Sequence, residues 1–88
     1  MSNQELKNWI IDQKNNCLEK EFTFKSYLKT ISFVNAVAFL ANKCNHHPEM
    51  IVNFNSCKIR LTTHDQRNTI TEKDYALAKK IDTLLEGE

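Results

Sequence analysis

The sequence predicts an α+β domain in which a four-stranded antiparallel sheet, made of two hairpins, carries three helices packed on one face. Three observations predict it. Two regions alternate apolar and polar residues, each broken by an asparagine-containing turn signal. Apolar stripes at helical spacing follow residues suited to capping. The order along the 88 residues is helix, hairpin, helix, hairpin, helix. A chain this short forms one domain, taken as residues 1–88, and buries only about 60 to 65% of its unfolded surface, so its core is thin.

Ser2-Asn3-Gln4-Glu5 has the form of a capping box and opens a short helix to about Asn8. Trp9-Ile10-Ile11 reads as a strand, Asn15-Asn16 as a turn, and Leu18 to Lys25 as a second strand. In that second strand Leu18, Phe22 and Phe24 share one face, with Glu19, Glu21, Thr23 and Lys25 opposite. Ser26 caps a long helix whose stripe runs through Ile31, Val34, Ala38 and Ala41, widened by Phe33, Val37 and Leu40, with its exit at Asn42 to Asn45. Met50, Val52 and Phe54 then face one way, and Cys57, Ile59, Leu61 and Thr63 line one side of the next strand. Asn55-Ser56 is the expected turn between them. Phe22, Phe24, Phe33 and Phe54 are core candidates. Thr71 to Asp74 is a second capping box, opening a final helix on Asp74, Leu77, Ala78, Ile81, Leu84 and Leu85 that ends near Gly87.

Composition narrows the function. Twelve basic against eleven acidic residues leave a formal charge of +1, and no Lys/Arg-lined face is evident, which argues against direct nucleic-acid binding. No window approaches the roughly 18 apolar residues a membrane span requires, and the N-terminus lacks a basic-then-apolar leader, so a soluble, cytoplasmic protein is expected. Cys17, Cys44 and Cys57 are odd in number and lack Cys-x-x-Cys spacing, as in a reducing compartment.

Asn45-His46-His47-Pro48-Glu49 sets two of the three histidines side by side, and His64 follows in Thr62-Thr63-His64-Asp65. A hairpin turning at Asn55-Ser56 pairs residues whose numbers sum to about 111, which puts His64 opposite His47 or Pro48. All three imidazoles then share one rim of the sheet. Three readings follow. A zinc site would use the histidines with Cys44 as an added ligand, although adjacent histidines usually diverge and the helical His-x-x-x-His spacing is absent. Proton transfer suits the residue type, since an unperturbed imidazole titrates at about 6.5. Polar loop residues beside a proline are the third. Asp65 either orients an imidazole or starts a turn. Asp74 is first a capping residue. Lys58 and Arg60, with Thr62 and His64, lie on the polar side of their strand, where a solvated face competes with an anion site.

Together, Asn45-His46-His47-Pro48-Glu49, Phe54, Thr62-Thr63-His64-Asp65, and Thr71 to Asp74 with Leu77-Ala78 and Ile81-Asp82 resemble the pterin-4a-carbinolamine dehydratase family. The resemblance runs from about Trp9 to Leu85. It implies an α+β fold in homodimers or homotetramers, and dehydration of 4a-hydroxytetrahydrobiopterin to quinonoid dihydropterin without metal or organic cofactor. It also implies a link to aromatic amino acid hydroxylases, whose product this is. Carried over by position, His46 and His64 take the acid and base roles and His47 holds the pterin. Asn45, Thr62, Thr63 and Asp65 complete the substrate rim, and Asn42, Met50 and Asp74 are supporting positions. Asn42 stands where the family commonly has Glu, Met50 where an aromatic is usual, and Asn68 in place of a glycine-rich turn. Some relatives act instead as dimerisation cofactors of a homeodomain transcription factor, docking a helix against a partner's helix. An exposed apolar stripe on the long helix would favour such a non-catalytic role.

Overall fold

The computed structural model describes residues 8–64 and 67–85. The predicted opening helix therefore lies outside the described residues except for Asn8, which takes a left-handed φ of 71°. The strands are β1 (Ile10–Asp12), β2 (Cys17–Thr23), β3 (Glu49–Asn53) and β4 (Ser56–Leu61). The helices are α1 (Tyr27–Cys44) and α2 (Glu72–Thr83). The two hairpins join into one antiparallel sheet of order β1-β2-β4-β3, so each hairpin contributes one inner and one edge strand.

Alternation decides the faces. Leu18 and Phe22 of β2 and Cys57, Ile59 and Leu61 of β4 turn the same way, and the register pairs Leu18 with Leu61 and Phe22 with Cys57. Against them pack Phe33 and Val37 of α1 and Leu77, Ala78 and Ile81 of α2, which completes a single core. Both described helices thus cover one face, as expected. Lys20 shares that face, and its stem lets it do so: the ammonium lies 4.8 Å from the Phe22 ring centre and 2.9 Å from Asp82 Oδ1. Trp9 Nε1 donates to the same carboxylate, which ties the approach to β1 onto α2.

Three expectations are corrected. The β3–β4 turn is Phe54-Asn55, with Asn53 opposite Ser56, so paired numbers sum to 109 and the register moves by two. Ser56 is needed in the ladder, where it is buried and also faces Thr23. The turn itself is pinned through main-chain oxygens, since Phe24 N donates to Asn55 O and Thr30 Oγ1 to Phe54 O. Phe54 consequently leaves the core and is 70% exposed, while Phe22 and Phe33 are buried and Phe24 half-buried. In α1 the buried line is Thr30, Phe33, Val37 and Ala41, with Ile31, Val34 and Leu40 flanking it and Ala38 exposed. Thr30 can occupy that line because its hydroxyl also reaches Ser26 O, so no polar atom is stranded.

Of the capping expectations, the two that fall on described residues hold, and the box at Ser2 to Glu5 lies outside them. Ser26 accepts from Lys29 N, and Thr71 with Asp74 forms a reciprocal capping box. The last helix ends at Thr83, before the predicted stop, and Leu84 and Leu85 pack half-buried beyond it. Among the described residues no helix is long and apolar enough to cross a membrane.

Candidate functional site

The histidine segment begins where α1 stops. Asn45 adopts a left-handed conformation with φ of 53°, and its amide donates to the carbonyls of Ala41 and Asn42. His46 N reaches back to Ala41 O at 3.1 Å, which closes the helix end in a Schellman-like turn. Asparagine supplies that conformation at little steric cost, and the turn delivers His46 and His47 to the mouth of the β3–β4 hairpin.

The two adjacent rings then part company. His47 lines a notch of about 160 Å³ with His64, Thr62, Arg60, Glu49, Asn15 and Cys17, on the sheet face turned away from the helices. His46 faces the other way: its Nε2 lies 2.6 Å from Asp74 Oδ1, with the carboxylate fully buried. Strand alternation does the same for the two threonines. Thr62 lines the notch, while Thr63 is buried on the helix side and donates to Asp74 Oδ2 at 2.9 Å.

The structure thus brings His47, His64 and Thr62 together, and separately brings His46, Thr63 and Asp74 together, with one peptide bond linking the two groups at each strand end. Asn42 is exposed at the helix end and contributes its carbonyl to the cap. Met50 packs half-buried against the core rather than in the notch. Asp65 lies outside the described residues.

His64 is held by its own loop. Its Nδ1 lies 2.7 Å from Asn68 Oδ1, an acceptor, so Nδ1 donates and Nε2 is the nitrogen left for other partners. Arg67 and Asn68 both take left-handed φ values, 60° and 58°, and Thr63 pairs with Thr69 across the loop. Asn68 therefore replaces a glycine turn without losing the turn, and adds a grip on the imidazole.

The notch floor is charged and internally paired. Arg60 Nε donates to Glu19 Oε1 at 3.0 Å, its Nη1 lies 3.8 Å from Glu49, and the bond to Glu19 pushes the guanidinium pKa further up. Burial, ahead of the nearby Asp12 carboxylate, pushes the Cys17 thiol up as well, so this thiol is not an activated nucleophile. Thr62 Oγ1 is buried with no hydrogen-bond partner among the described residues, which leaves a polar atom at the notch for an incoming group to satisfy. Sequence reading placed Thr62, His47 and His64 here and expected His46 beside them, where the structure turns it to the helix side; it missed Asn15, Cys17 and Glu49 as notch residues and Asn68 as the support of His64. The cross-strand pairs Glu19–Arg60 and Glu49–Arg60, legible once the register is known, are the signal that would have found the floor.

Two further features bear on metals and other cavities. Asp12, Cys17 and Glu19 hold possible ligand atoms within 4.8 Å of one another, but Asp12 is engaged by Lys14 and Asn15 and Glu19 by Arg60 and Lys58. Cys44, weighed as a fourth zinc ligand, instead lies 3.6 Å from Lys80 Nζ. A larger hollow of about 960 Å³ between β2 and α2 is bordered by Lys20, Phe22, Ala76 and Asp82, away from every histidine.

Fold and site define the class: a small α+β domain with, among the described residues, two helices on one face of a four-stranded antiparallel sheet and with His47 and His64 gathered in a notch at one sheet rim. The family model for pterin 4 alpha carbinolamine dehydratase matches residues 1–84, and the chain belongs to that family. A protein of Hydrogenovibrio crunogenus, provisionally named for the same dehydratase, is 42% identical over 78 residues, 89% of this chain and 68% of its own. One of Paracidovorax citrulli, named in the same way, is 42% identical over 83 residues, 92% of this chain and 71% of its own. Among solved structures, a transcriptional coactivator/pterin dehydratase from Brucella melitensis superimposes with a TM-score of 0.87 at 28% identity, covering 94% of this chain and 87% of that one. A pterin dehydratase-like protein identified as a RuBisCO assembly factor in the alpha-carboxysome gives 0.76 at 27% identity, covering 92% and 93%.

Proposed function

We propose that this chain dehydrates 4a-hydroxytetrahydrobiopterin to quinonoid dihydropterin and water, in tetrahydropterin recycling. The observation that supports this most is the pairing of two imidazoles and an unsatisfied threonine hydroxyl in one notch, in a chain that belongs to the dehydratase family. The reaction breaks the C4a–O bond. The departing oxygen takes a proton, a ring nitrogen gives one up, and a carbon–nitrogen double bond forms, so one acid and one base suffice and no metal or organic cofactor takes part.

His64 exchanges a proton from within the notch and His47 holds the pterin against it, while His46, the second proton carrier by family position, is turned to the helix side and meets the substrate only through the 12% of its side chain left open. Thr62 Oγ1 meets a polar edge of the substrate, and Asn45, Thr63 and Asp65 complete the rim. Thr63 does so indirectly, since its hydroxyl is committed to Asp74. The notch is smaller than the roughly 300 Å³ at which ligand pockets begin, so it grips one edge of the bicycle and leaves the side chain outside. Because the carbinolamine also dehydrates unaided, the enzyme need supply only orientation and proton transfer, the latter on the order of 10²- to 10⁴-fold. The reading includes a cytoplasmic homodimer or homotetramer acting after an aromatic amino acid hydroxylase.

Stopped-flow dehydration with and without chelator tests it. The expected result is metal-independent acceleration that His46→Ala or His64→Ala largely removes; wild-type protein no faster than buffer rejects the reading. Stoichiometric zinc with chelator-sensitive activity would favour the metal reading instead.

A second reading, a non-catalytic interaction protein, is favoured by one observation. Helix α1 leaves Tyr27, Leu28 and Phe39 61%, 76% and 79% exposed. Large apolar side chains so placed suit a helix-docking surface.

A further inference from the structure

We propose that Asn68 is a positioning residue that holds His64 in its Nδ1–H tautomer, so that Nε2 is the one nitrogen through which this ring exchanges a proton in the notch. The catalytic half of this statement rests on the dehydratase reading; the tautomer half stands without it.

Backbone pairing places the two side chains. Thr63 N donates to Thr69 O at 2.9 Å, and the antiparallel bridge between these residues makes positions 64 and 68 the next pair across the loop. The anchor is firm, because Thr63 is buried and its hydroxyl is bound to both Asp74 and Thr71. Closing the loop takes left-handed backbone at Arg67 and again at Asn68, with φ of 60° and 58°. Asparagine tolerates that conformation better than most side chains. Glycine would adopt it with less strain but would bring nothing to the ring. With asparagine, the residue that makes the turn also sets its Oδ1 2.7 Å from His64 Nδ1.

The chemistry follows from what each atom can do. An amide oxygen only accepts, so His64 Nδ1 carries a hydrogen whether the ring is neutral or cationic. A neutral imidazole in water favours the Nε2–H form, so without this partner the ring would mostly lack a lone pair at Nε2. With it, a neutral His64 takes a proton at Nε2 and a cationic one releases it from the same atom. Because the amide is uncharged and accepts in both states, the ring changes charge without turning over. The partner of the second nitrogen decides the tautomer of a working imidazole, and a wrong tautomer cripples one whose geometry is intact. Of the two rings that line the notch, His64 alone is held in this way among the described residues, which separates a ring that moves protons from one that holds substrate.

Three variants separate the grip from the turn. Asn68→Gly keeps the left-handed turn and removes the acceptor. Asn68→Asp tolerates the turn and keeps an acceptor at the same reach. Arg67→Gly relaxes the neighbouring left-handed residue and leaves the Asn68 amide in place.

The experiment combines nitrogen-15 NMR of the histidine rings, at a pH high enough to hold them neutral, with dehydration kinetics. Wild type and Asn68→Asp are expected to show His64 as Nδ1–H. Asn68→Gly is expected to move it mostly to Nε2–H and to lower kcat by about 2- to 13-fold, the range one neutral hydrogen bond confers, with KM changed less. Asn68→Asp should recover kcat above that of Asn68→Gly, and Arg67→Gly should keep the wild-type tautomer and kcat. Wild-type His64 as Nε2–H overturns the proposal, and this measurement decides even if every variant fails to fold. A changed tautomer with unchanged kcat in Asn68→Gly overturns the catalytic half, as does an equal loss of kcat in Asn68→Asp or in Arg67→Gly. Wild-type protein no faster than buffer, with His64 as Nδ1–H, would sink the dehydratase reading while leaving the tautomer assignment standing.

Discussion

Thr63→Val asks how much of this domain's stability resides in the polar cluster behind the histidines. Valine has nearly the shape of threonine and an equal or better preference for strands, so volume and backbone are held constant and only the hydroxyl is lost. That hydroxyl is 2% exposed at the residue level, donates to Asp74 Oδ2 at 2.9 Å and lies 2.6 Å from Thr71 Oγ1. A hydrogen bond to a charged group contributes about 1.5 to 3 kcal/mol and a neutral one about 0.5 to 1.5 kcal/mol. The extra methyl offsets roughly 0.8 kcal/mol. The net loss should be about 2 kcal/mol, which for a domain of this size lowers Tm by about 8 to 16 °C. Urea unfolding at fixed protein concentration should show a lower midpoint with an unchanged m-value. A loss below about 0.5 kcal/mol would refute the reasoning, because the carboxylate would then not depend on Thr63. Combined with Asp74→Asn, the two losses should fall well short of adding, since the groups share one network.

Three further predictions concern separate links. Burial holds the Cys57 thiol up to about 11 from 9.0, so the folded state favours the protonated form; its contribution is complete below pH 9 and is lost as pH rises through 11. Cys57→Ala should flatten the decline in urea midpoint between pH 9 and 11, and equal slopes in both proteins would reject this. Ser26→Ala should cost about 1 kcal/mol by removing the acceptor for Lys29 N, as read from thermal melts. Phe39→Ser, at a residue 79% exposed, should leave the stability of an isolated chain unchanged within about 0.5 kcal/mol; a larger, concentration-dependent loss would show that α1 is covered by another chain.

Much of this could be read from periodicity, and the failures have local causes. The strands, the Ser26 cap, the Thr71–Asp74 capping box and the α2 stripe follow from alternation, helical spacing and residue type. The β3–β4 turn was displaced because Asn55-Ser56 looks more turn-like than Phe54-Asn55. Only the tertiary partners of the turn, Phe24 N and Thr30 Oγ1, explain why a phenylalanine sits there with its ring in solvent. Thr30 was passed over in α1 because a hydroxyl signals a surface until its acceptors are known. At the site, convergence of His47 and His64 survived a two-residue error in register because they sit at the strand ends rather than along the ladder. What alternation could not give was the opposite facing of His46 and His47, or the choice of Asp74 and Asn68 as their separate partners. Those depend on contacts between segments far apart in the chain.

The left-handed turns carry a last consequence. The chain has a single glycine, Gly87, and among the described residues its five positive-φ positions are Asn8, Asn16, Asn45, Asn68 and Arg67. Glycine would fit each of these angles without strain, but it would widen the unfolded ensemble and so make each turn costlier to form. Asparagine restricts the unfolded chain more, and at position 68 its amide also grips an imidazole. A change to glycine there would keep the loop's path and release the ring. At position 68 a single asparagine therefore serves both the turn and the ring, and only its hold on the ring depends on the side-chain amide.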